Sequence, residues 1–397
     1  MQAFEFYSPT KIIFGPDTET QVGQHIQAYG GTRVMVIYGG NSAVKSGLLD
    51  RVLNCLKEAG LPYETLGGVQ PNPHLELAEE GVKKAISFGA DFFLAVGGGS
   101  VIDTTKAVAI GAANPDVSLW DFWLRKVPLT TCMPLAAVLT IPAAGSESSD
   151  SVVLTRYATH EKRGLGSDLV RPRFSILNPE LTYTLPPYQV ICGIVDIMMH
   201  TMERYFNPIT TNELTDEIAE GLLRTTIRNG KRAVANPGDY QAMSELMWAG
   251  ALSHNGLTGA GGAKDFATHQ LGHELSATFD CAHGATLSAV WDSWARYVMP
   301  ANPARFAQFG CRVWGLDANG LTEMELAEAS INATADFFHS IGMPITLGQL
   351  KGCGMQTEEQ LDGLAYRCAF KNTRTIGTFK VLDHNDIRAI YAMANRP

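Results

Sequence analysis

The stretch ATHQLGHELSATFDCAHG, residues 267–284, carries three of the chain's ten histidines within fifteen positions. His269 and His273 are four residues apart, so they share one face of a helix. His283 stands directly before Gly284, where a turn can bring its imidazole back toward the first two. The spacing therefore predicts a cluster of imidazoles on and beside one helix.

A second pair with helical spacing, Asp196 and His200, lies upstream of this stretch. Together the two segments can surround one divalent cation with imidazole nitrogens and a carboxylate. A catalytic metal also needs one coordination position left open for the substrate. The alternative is a set of unrelated histidines, some exposed and some at helix ends.

Composition limits the class of protein. The chain has 397 residues, 45% hydrophobic and 18% charged, so we expect two or three domains with a large core. The formal net charge of −9 argues against a general nucleic-acid or membrane binder. No signal peptide and no membrane span are expected, because no suitable apolar run is present. The seven cysteines form no CxxC pair, which favours free thiols and a cytoplasmic protein.

Strands and helices alternate along the first half of the chain. The hydrophobic pattern predicts strands at residues 11–14, 33–38, 91–96 and 135–140, and helices at 46–59, 75–88 and 101–112. This alternation is typical of an α/β domain with a parallel sheet and helices on both faces. Ligands in such sheets bind at the carboxyl ends of the strands.

The glycine-rich sequence GGGS at residues 97–100 follows one of these strands. Glycines let backbone amides approach a pyrophosphate, and the following helix offers its positive N-terminus. An ordinary tight turn is the alternative, and the stretch is not a GxGxxG fingerprint. Asp103, one turn into the helix, either reaches the ligand or complements the helix dipole. Lys106 is expected on a solvated helix face.

From about residue 187 the pattern becomes helical. Helices are predicted at residues 188–205, 212–235, 240–254, 263–277, 285–298, 303–314, 321–341, 357–369 and 386–395. We therefore place a domain boundary between residues 186 and 187, with an α/β domain over 1–186 and an all-helical domain over 187–397.

Taken together, the two halves resemble the iron-containing (group III) alcohol dehydrogenase family, within it the NADPH-dependent butanol dehydrogenase and aldehyde reductase branch. The resemblance covers essentially the whole chain. It rests on the order and spacing of six motifs: GGGSVID at 97–103, TIPAAGSE at 140–147, LNPELTYTLPP at 177–187, GIVD with His200 at 193–200, the histidine segment at 269–284, and GTFK at 377–380.

This resemblance implies a Rossmann-like dinucleotide-binding domain followed by a metal-binding domain, with the active site in the cleft between them. It also implies that Fe²⁺ or Zn²⁺ is held by four side chains, which are Asp196, His200, His269 and His283. His273 is not a ligand and is expected near the substrate and the nicotinamide. His273 and Asp103 are the predicted catalytic residues. A homodimer is expected as well.

The family's cofactor contacts carry over to positions spread along the first half. They are Gly98, Gly99, Ser100 and Asp103 in the glycine-rich segment, with Asp103 near the nicotinamide, and Asn72, Thr140, Ser149, Lys162, Leu181 and Thr184 elsewhere. Two positions depart from many relatives, which have Thr at Ala144 and Asn at Ser149. Some side-chain hydrogen bonds to the cofactor are therefore expected to be lost or replaced by water.

The segment that follows the strand at 33–38 bears on the choice of nicotinamide cofactor. NAD-using relatives tend to carry an acidic residue there, and it would repel a 2′-phosphate. This chain instead has Gly39, Gly40, Asn41 and Ser42, with Lys45 nearby and no carboxylate. We therefore predict NADP(H). A Gly-Gly turn that does not discriminate is the alternative.

Three functions are considered. The first is a hydride transfer between NADP(H) and a small primary alcohol or aldehyde such as butanol or butanal. The second is a lyase resembling dehydroquinate synthase, which would use basic residues such as Arg163, Arg171 and Arg173. The third is a noncatalytic nucleotide or metal sensor. The expected substrate region in the helical half favours the first, because it is rich in apolar residues: Trp248, Leu252, Leu257, Phe266 and Trp291.

Overall fold

The computed structural model describes residues 1–209 and 211–397, which form two compact units. The sheet unit comprises Tyr7–Pro186 and Asn236–Asn255. The helical unit comprises Met1–Phe6, Pro187–Ala235 and Gly256–Pro397. The segment Asn236–Asn255 thus belongs to the sheet unit although helices surround it in the sequence.

The sheet unit contains a six-stranded parallel sheet and a separate antiparallel hairpin. The sheet has the strand order β1-β8-β5-β4-β2-β3, and β6 pairs with β7. The strands are β1 Lys11–Phe14, β2 Val34–Gly39, β3 Tyr63–Val69, β4 Phe92–Gly97, β5 Leu135–Leu139, β6 Ser151–Arg156, β7 Glu161–Gly166 and β8 Phe174–Leu177.

Helices make up most of the rest of the described chain. In chain order they are α1 Val22–Ala28, α2 Ser42–Lys45, α3 Leu48–Glu58, α4 Leu75–Phe88, α5 Gly99–Ala113, α6 Leu119–Trp123, α7 Pro187–Tyr205, α8 Glu213–Ala235, α9 Tyr240–His254, α10 Ala267–Phe279, α11 His283–Val298, α12 Pro303–Phe309, α13 Glu323–Ser340, α14 Glu358–Cys368 and α15 His384–Ala394. Of these, α1–α6 and α9 belong to the sheet unit.

The central strands form because their sequences are apolar on both faces. FFLAVG in β4 and LAAVL in β5 are buried along their whole length, as expected for a parallel sheet covered by helices. Three predicted strands correspond to β1, β2 and β4, and the fourth corresponds to β5. The predicted fold class, a parallel α/β sheet followed by helices, is confirmed.

The expectation that Lys106 lies on a solvated face of α5 is wrong. Lys106 is completely buried rather than solvated. Its ammonium donates to the backbone oxygens of Ser149 and Ser151 at 3.1 and 2.7 Å. Periodicity did not reveal this, because nearly every position of α5 from Val101 to Gly111 is buried and the helix has no solvated face.

In the helical unit, left-handed backbone at both ends of α10 shapes the histidine segment. Phe266 precedes the helix with φ +53°, and Asp280 follows it with φ +51°. The turn after Asp280 is short, so that α11 begins at His283. Over the described residues, 1–209 and 211–397, no helix combines the length and apolar character that a membrane crossing requires.

Candidate active site

The predicted metal ligands converge in the interior of the helical unit. Asp196 and His200 lie one turn apart on α7, and His269 lies in the first turn of α10. One potential ligand atom from each of the three lies within 4.8 Å of the others. All three residues are buried, with 3–4% of their surface exposed. A buried Asp-His-His group of this kind is a candidate for a divalent cation.

His283 lies at the edge of this group. Its Nε2 is 3.9 Å from Asp196 Oδ1, and its ring centroid is 5.2 Å from that of His269. As the first residue of α11, it reaches the group because the turn after α10 reverses the chain. The structure therefore brings together all four side chains that the resemblance implied, with His283 the most exposed of them.

Hydrogen bonds define the tautomers of two of these imidazoles. His200 Nδ1 is 3.0 Å from the backbone carbonyl oxygen of Asp196. A carbonyl oxygen only accepts, so Nδ1 carries the proton and donates it, and Nε2 keeps its lone pair. His269 Nδ1 likewise contacts the Glu203 carboxylate, and His269 Nε2 lies 3.6 Å from Asp196 Oδ1.

The pKa directions of Asp196 and His200 agree with a ligand role, whereas that of His269 opposes it. Burial by itself would raise the pKa of Asp196, but the His200 and His283 imidazoles hold it well below its ordinary value. Burial lowers the pKa of His200. Burial also acts to lower the pKa of His269, yet Glu203 and Asp196 raise it to about 9. Asp196 is thus an anion and His200 neutral, whereas His269 must release a proton when it ligates a metal.

Two orphaned atoms show that these residues fit a cation. Asp196 Oδ1 and His269 Nε2 are buried, and neither makes a well-aligned hydrogen bond among the described residues, although His200 Nδ1 and His269 Nε2 lie 3.1 and 3.6 Å from Asp196 Oδ1. Leaving a buried carboxylate oxygen and a buried imidazole nitrogen unpaired costs free energy, which a shared cation would remove. The donor set, imidazole nitrogens with one carboxylate, suits Fe²⁺ and Zn²⁺ alike.

Aromatic residues flank the group on one side. Phe266 packs its ring 5.3 Å from that of His269 and 6.2 Å from that of His200. His273 is buried one turn beyond His269, with its ring 5.4 Å from that of His283. Trp291, by contrast, is completely buried against Phe338. Of the apolar residues predicted around the substrate, Phe266 therefore lies against the histidines.

Within the sheet unit, the glycine-rich segment forms a close turn from β4 into α5. Gly98 is the N-cap of α5, and a Cβ atom there would lie 2.3 Å from Ile141 Cγ2. A side chain at Gly99 would approach Ala144 Cβ to 3.4 Å. The first amide groups of a helix lack intrahelical acceptors. The first amides of α5, which include that of Ser100, are therefore free to donate, and Gly98 and Gly99 leave space beside them.

Asp103 is occupied by contacts within the sheet unit. Its Oδ1 accepts a hydrogen bond from Ser146 Oγ, and its Oδ2 accepts from the Val153 amide at 2.9 Å. Burial raises the pKa of Asp103. The Lys106 ammonium contacts the same segment, residues 146–153, and lies 3.3 Å from Ser149 Oγ. Asp103 and Lys106 therefore fix residues 146–153 to α5.

The remaining predicted cofactor positions occupy loops and strand ends of the sheet unit. Lys162 Nζ donates to Asn72 Oδ1 at 2.9 Å, and both residues are buried. The Thr140 amide donates to the Gly97 carbonyl at 3.1 Å. Gly39 ends β2 and Ser42 begins α2, Leu181 lies in the short 3-10 helix Pro179–Thr182, and the others occupy loops or turns: Gly40, Asn41 and Thr184.

Models of one protein family match nearly the whole chain. Residues 9–179 match the model for iron-containing alcohol dehydrogenases, and residues 190–395 match that for the C-terminal part of the Fe-containing alcohol dehydrogenase family. These two matches contain the glycine-rich segment and the Asp-His group, respectively.

Individual relatives agree with this match. NADH-dependent butanol dehydrogenase A of Clostridium acetobutylicum is 36% identical over 392 residues, covering 98% of this chain and 99% of that protein. The NADPH-dependent aldehyde reductase YqhD of Escherichia coli is 35% identical over 401 residues, covering 99% and 100%. The solved structure of NADH-dependent butanol dehydrogenase A from Thermotoga maritima superposes with a TM-score of 0.95 at 34% identity, covering 100% of this chain and 99% of that one.

The chain belongs to the iron-containing alcohol dehydrogenase family. It is an alcohol dehydrogenase or aldehyde reductase, which confirms the reaction class of the first function considered from the sequence. The relatives include NADH- and NADPH-dependent enzymes, so the predicted choice of NADP(H) stays a prediction. The lyase and the sensor are set aside.

Proposed function

We propose that this protein transfers a hydride between NADP(H) and a small primary alcohol or aldehyde of the butanol and butanal type. The observation that carries the proposal is the buried group of Asp196, His200 and His269, whose ligand atoms converge within 4.8 Å. The substrate class is supported by the names of the full-length relatives, a butanol dehydrogenase and an aldehyde reductase.

In this proposal Asp196, His200, His269 and His283 hold one Fe²⁺ or Zn²⁺ ion. A divalent cation at such a site supplies Lewis-acid chemistry at the alcohol or aldehyde oxygen. Asp196 provides the negative charge, and the exposed fraction of 26% for the His283 side chain leaves that edge of the group accessible. His273 is proposed as the group that exchanges a proton with the substrate oxygen, because its ring lies 5.4 Å from that of His283.

The two halves of the chain divide the work in this proposal. Residues 1–186 bind the dinucleotide, and residues 187–397 bind the metal and the substrate. Gly98, Gly99 and Ser100 would receive the pyrophosphate at the N-terminus of α5. Asp103 is proposed to act near the nicotinamide by holding Ser146 and Val153 in place. The other proposed cofactor contacts are Asn72, Thr140, Ser149, Lys162, Leu181 and Thr184.

The preference for NADP(H) rests on the end of β2. Gly39 and Gly40 carry no charge, and the segment that follows offers Asn41, Ser42 and Lys45. A Cβ atom at Gly39 would lie 3.6 Å from Val101 Cγ2, and one at Gly40 would meet nothing within 4 Å. Space for an acidic side chain therefore exists, and its absence favours a 2′-phosphate on electrostatic grounds. The relatives include NADH- and NADPH-dependent enzymes, so their names do not decide the preference and the proposal rests on this segment.

Metal content tests the ligand set. His269→Ala and His283→Ala should each lose bound metal after dialysis and nearly all activity, because the remaining ligands cannot complete the site. His339→Ala changes an exposed histidine of α13 in the same unit and should keep both. Full metal content in either ligand variant would contradict the assignment.

Steady-state kinetics test the cofactor and the substrate. With butanal held at saturation, kcat/KM should be higher for NADPH than for NADH, and the loss of nicotinamide absorbance should require both substrates. A wild type that uses NADH better would refute the cofactor proposal and leave the metal site untouched.

A further inference from the structure

Glu203 lies on the same face of α7 as the proposed ligands, although its spacing did not mark it as a site residue. It follows His200 by three positions and Asp196 by seven, which places all three on one side of the helix. Its side chain is 1% exposed. A buried carboxylate requires donors, so its partners are informative.

The Glu203 carboxylate accepts two hydrogen bonds, and both come from His269. Glu203 Oε1 accepts from the His269 backbone amide at 3.0 Å, and Oε2 contacts the imidazole Nδ1. His269 is in the first turn of α10, where backbone amides have no intrahelical acceptor. One carboxylate thus caps this amide and engages the ring of the same residue. Because an ionised carboxylate only accepts, Nδ1 carries the proton and Nε2 is the atom left to face Asp196.

We propose that Glu203 is the positioning residue of the metal site, because its carboxylate bridges the amide and Nδ1 of His269 and so directs Nε2 at Asp196. This inference rests on the proposed ligand set. It assigns to Glu203 a role that does not involve touching the metal: it sets the tautomer and the orientation of one ligand. Carboxylates that accept from a ligating histidine act in this way at other metal sites.

Asp265 links Glu203 to the start of α10, through its backbone amide on one side and its carboxylate on the other. The Asp265 amide donates to the Glu203 backbone oxygen at 2.9 Å. Asp265 Oδ1 accepts from the Ala267 amide at 3.0 Å, and Oδ2 accepts from the amides of Thr378 and Phe379 at 2.7 and 2.8 Å. The start of α10 is therefore tied both to α7 and to the turn at residues 377–380.

The GTFK motif gains a physical reason from this arrangement. Gly377 has φ +80°, and a Cβ atom there would lie 2.7 Å from the Lys380 backbone oxygen and 3.2 Å from Asp265 Oδ2. A side chain at Gly377 would strain the turn and press on the carboxylate that receives its amides. The motif thus supports the metal site from a distance of about a hundred residues in sequence.

Glu203→Gln is the decisive variant, because it keeps the shape and removes one acceptor. The two donors of His269 meet different oxygens of Glu203, and in glutamine one of these positions is an NH₂ group that faces a donor instead of accepting from it. Glu220→Gln is the matched control. Glu220 is also completely buried in the helical unit, and its Oε1 accepts from Tyr205 Oη and Gln308 Nε2 at 2.9 and 3.1 Å.

The measurement is the affinity of the dialysed full-length protein for Zn²⁺, by competition with a chromophoric chelator. Glu203→Gln should bind Zn²⁺ roughly 10- to 100-fold more weakly than the wild type. Glu220→Gln should bind it as the wild type does. An unchanged affinity in folded Glu203→Gln, or an equal loss in Glu220→Gln, overturns the inference.

Two further measurements keep the test decisive. In the Zn²⁺-loaded wild type, ¹⁵N NMR of labelled histidine should show Nδ1 of His269 protonated, with the signal assigned by its absence in His269→Ala. An unprotonated Nδ1 would overturn the inference even if Glu203→Gln does not fold. If His269→Ala keeps its metal, the proposed ligand set itself fails. If His269→Ala loses metal while Glu203→Gln does not, only the role of Glu203 fails.

Discussion

Glu147 should make the sheet unit less stable as the pH rises toward 7, and replacing it with glutamine should remove this dependence. The residue is 2% exposed, and its Oε1 has no hydrogen-bond partner among residues 1–209 and 211–397. Burial raises the pKa of this carboxyl from 4.5 to about 7, against the opposing effect of Lys106. The folded protein therefore keeps a proton that the unfolded chain releases.

The sign and size follow from proton linkage. Between pH 4.5 and about 7 the folded state binds more protons than the unfolded state, so the free energy of unfolding falls as the pH rises. The full difference between the two pKa values corresponds to about 3 kcal/mol. About 2 kcal/mol of this develops between pH 5 and pH 7.5.

Glu147→Gln removes the titrating group while keeping its volume. Relative to the wild type, the variant should gain about 2 kcal/mol of stability between about pH 5 and pH 7.5, or roughly 4–8 °C in the midpoint of thermal unfolding for a unit of this size. Calorimetry of both proteins at the two pH values gives this difference directly. Glu79→Gln, an exposed position on α4, is the control and should show no such change.

A difference between Glu147→Gln and the wild type that is the same at both pH values would refute the reasoning. So would a variant that gains more at the lower pH. Either result would mean that the Glu147 carboxyl is ionised in the folded protein, stabilised by charges or water that its burial conceals.

Three further predictions concern function and local order. Gly39→Asp should raise KM for NADPH by roughly 10-fold or more and spare NADH, because a carboxylate within about 4 Å of the 2′-phosphate costs on the order of 1–4 kcal/mol; an unmoved cofactor ratio in steady-state kinetics would contradict this. His273→Ala should keep its metal but lower kcat on the order of 10²-fold if the imidazole exchanges the proton, and an unchanged kcat at all pH values would make it structural. Lys106→Met should destabilise the protein by about 2 kcal/mol or more, because the carbonyls of Ser149 and Ser151 lose a buried donor; a thermal midpoint equal to that of the wild type would argue against this.

Much of the sheet could be predicted because its central strands are continuous apolar runs. The strands missed by sequence reasoning lack that signal. YETLGGV in β3 contains two glycines and a glutamate, which are typical of a loop, yet it pairs with β2 at the sheet edge. FSIL in β8 has only four residues. The hairpin of β6 and β7 stands apart from the sheet and was not predicted. Whether such segments become strands depends on pairing with strands that are distant in sequence, and the local sequence pattern does not reveal that pairing.

The convergence of the proposed metal ligands could be predicted for a different reason. Asp196 and His200 lie one helical turn apart, and carboxylate and imidazole are both side chains that ligate metals. The resemblance to a family then selected His283 and excluded His273. Lys106 shows the limit of the same reasoning, because a charged residue at a regular helix position gives no sign that its partners lie on a segment forty residues away.

Glu203 shows why the support of a site is harder to predict than its ligands. A glutamate near the end of a helix is an ordinary residue, and the spacing that places it beside His200 is shared by many solvated side chains. What distinguishes it is a pair of donors from a helix more than sixty residues further along the chain. The GTFK motif was recognised for the same structural unit, but its glycine has a reason only once Asp265 is seen to receive the amides of that turn. Residue type and local spacing thus indicate which side chains are candidate ligands. The orientation of a ligand depends on contacts between distant segments, and these contacts form only in the folded chain.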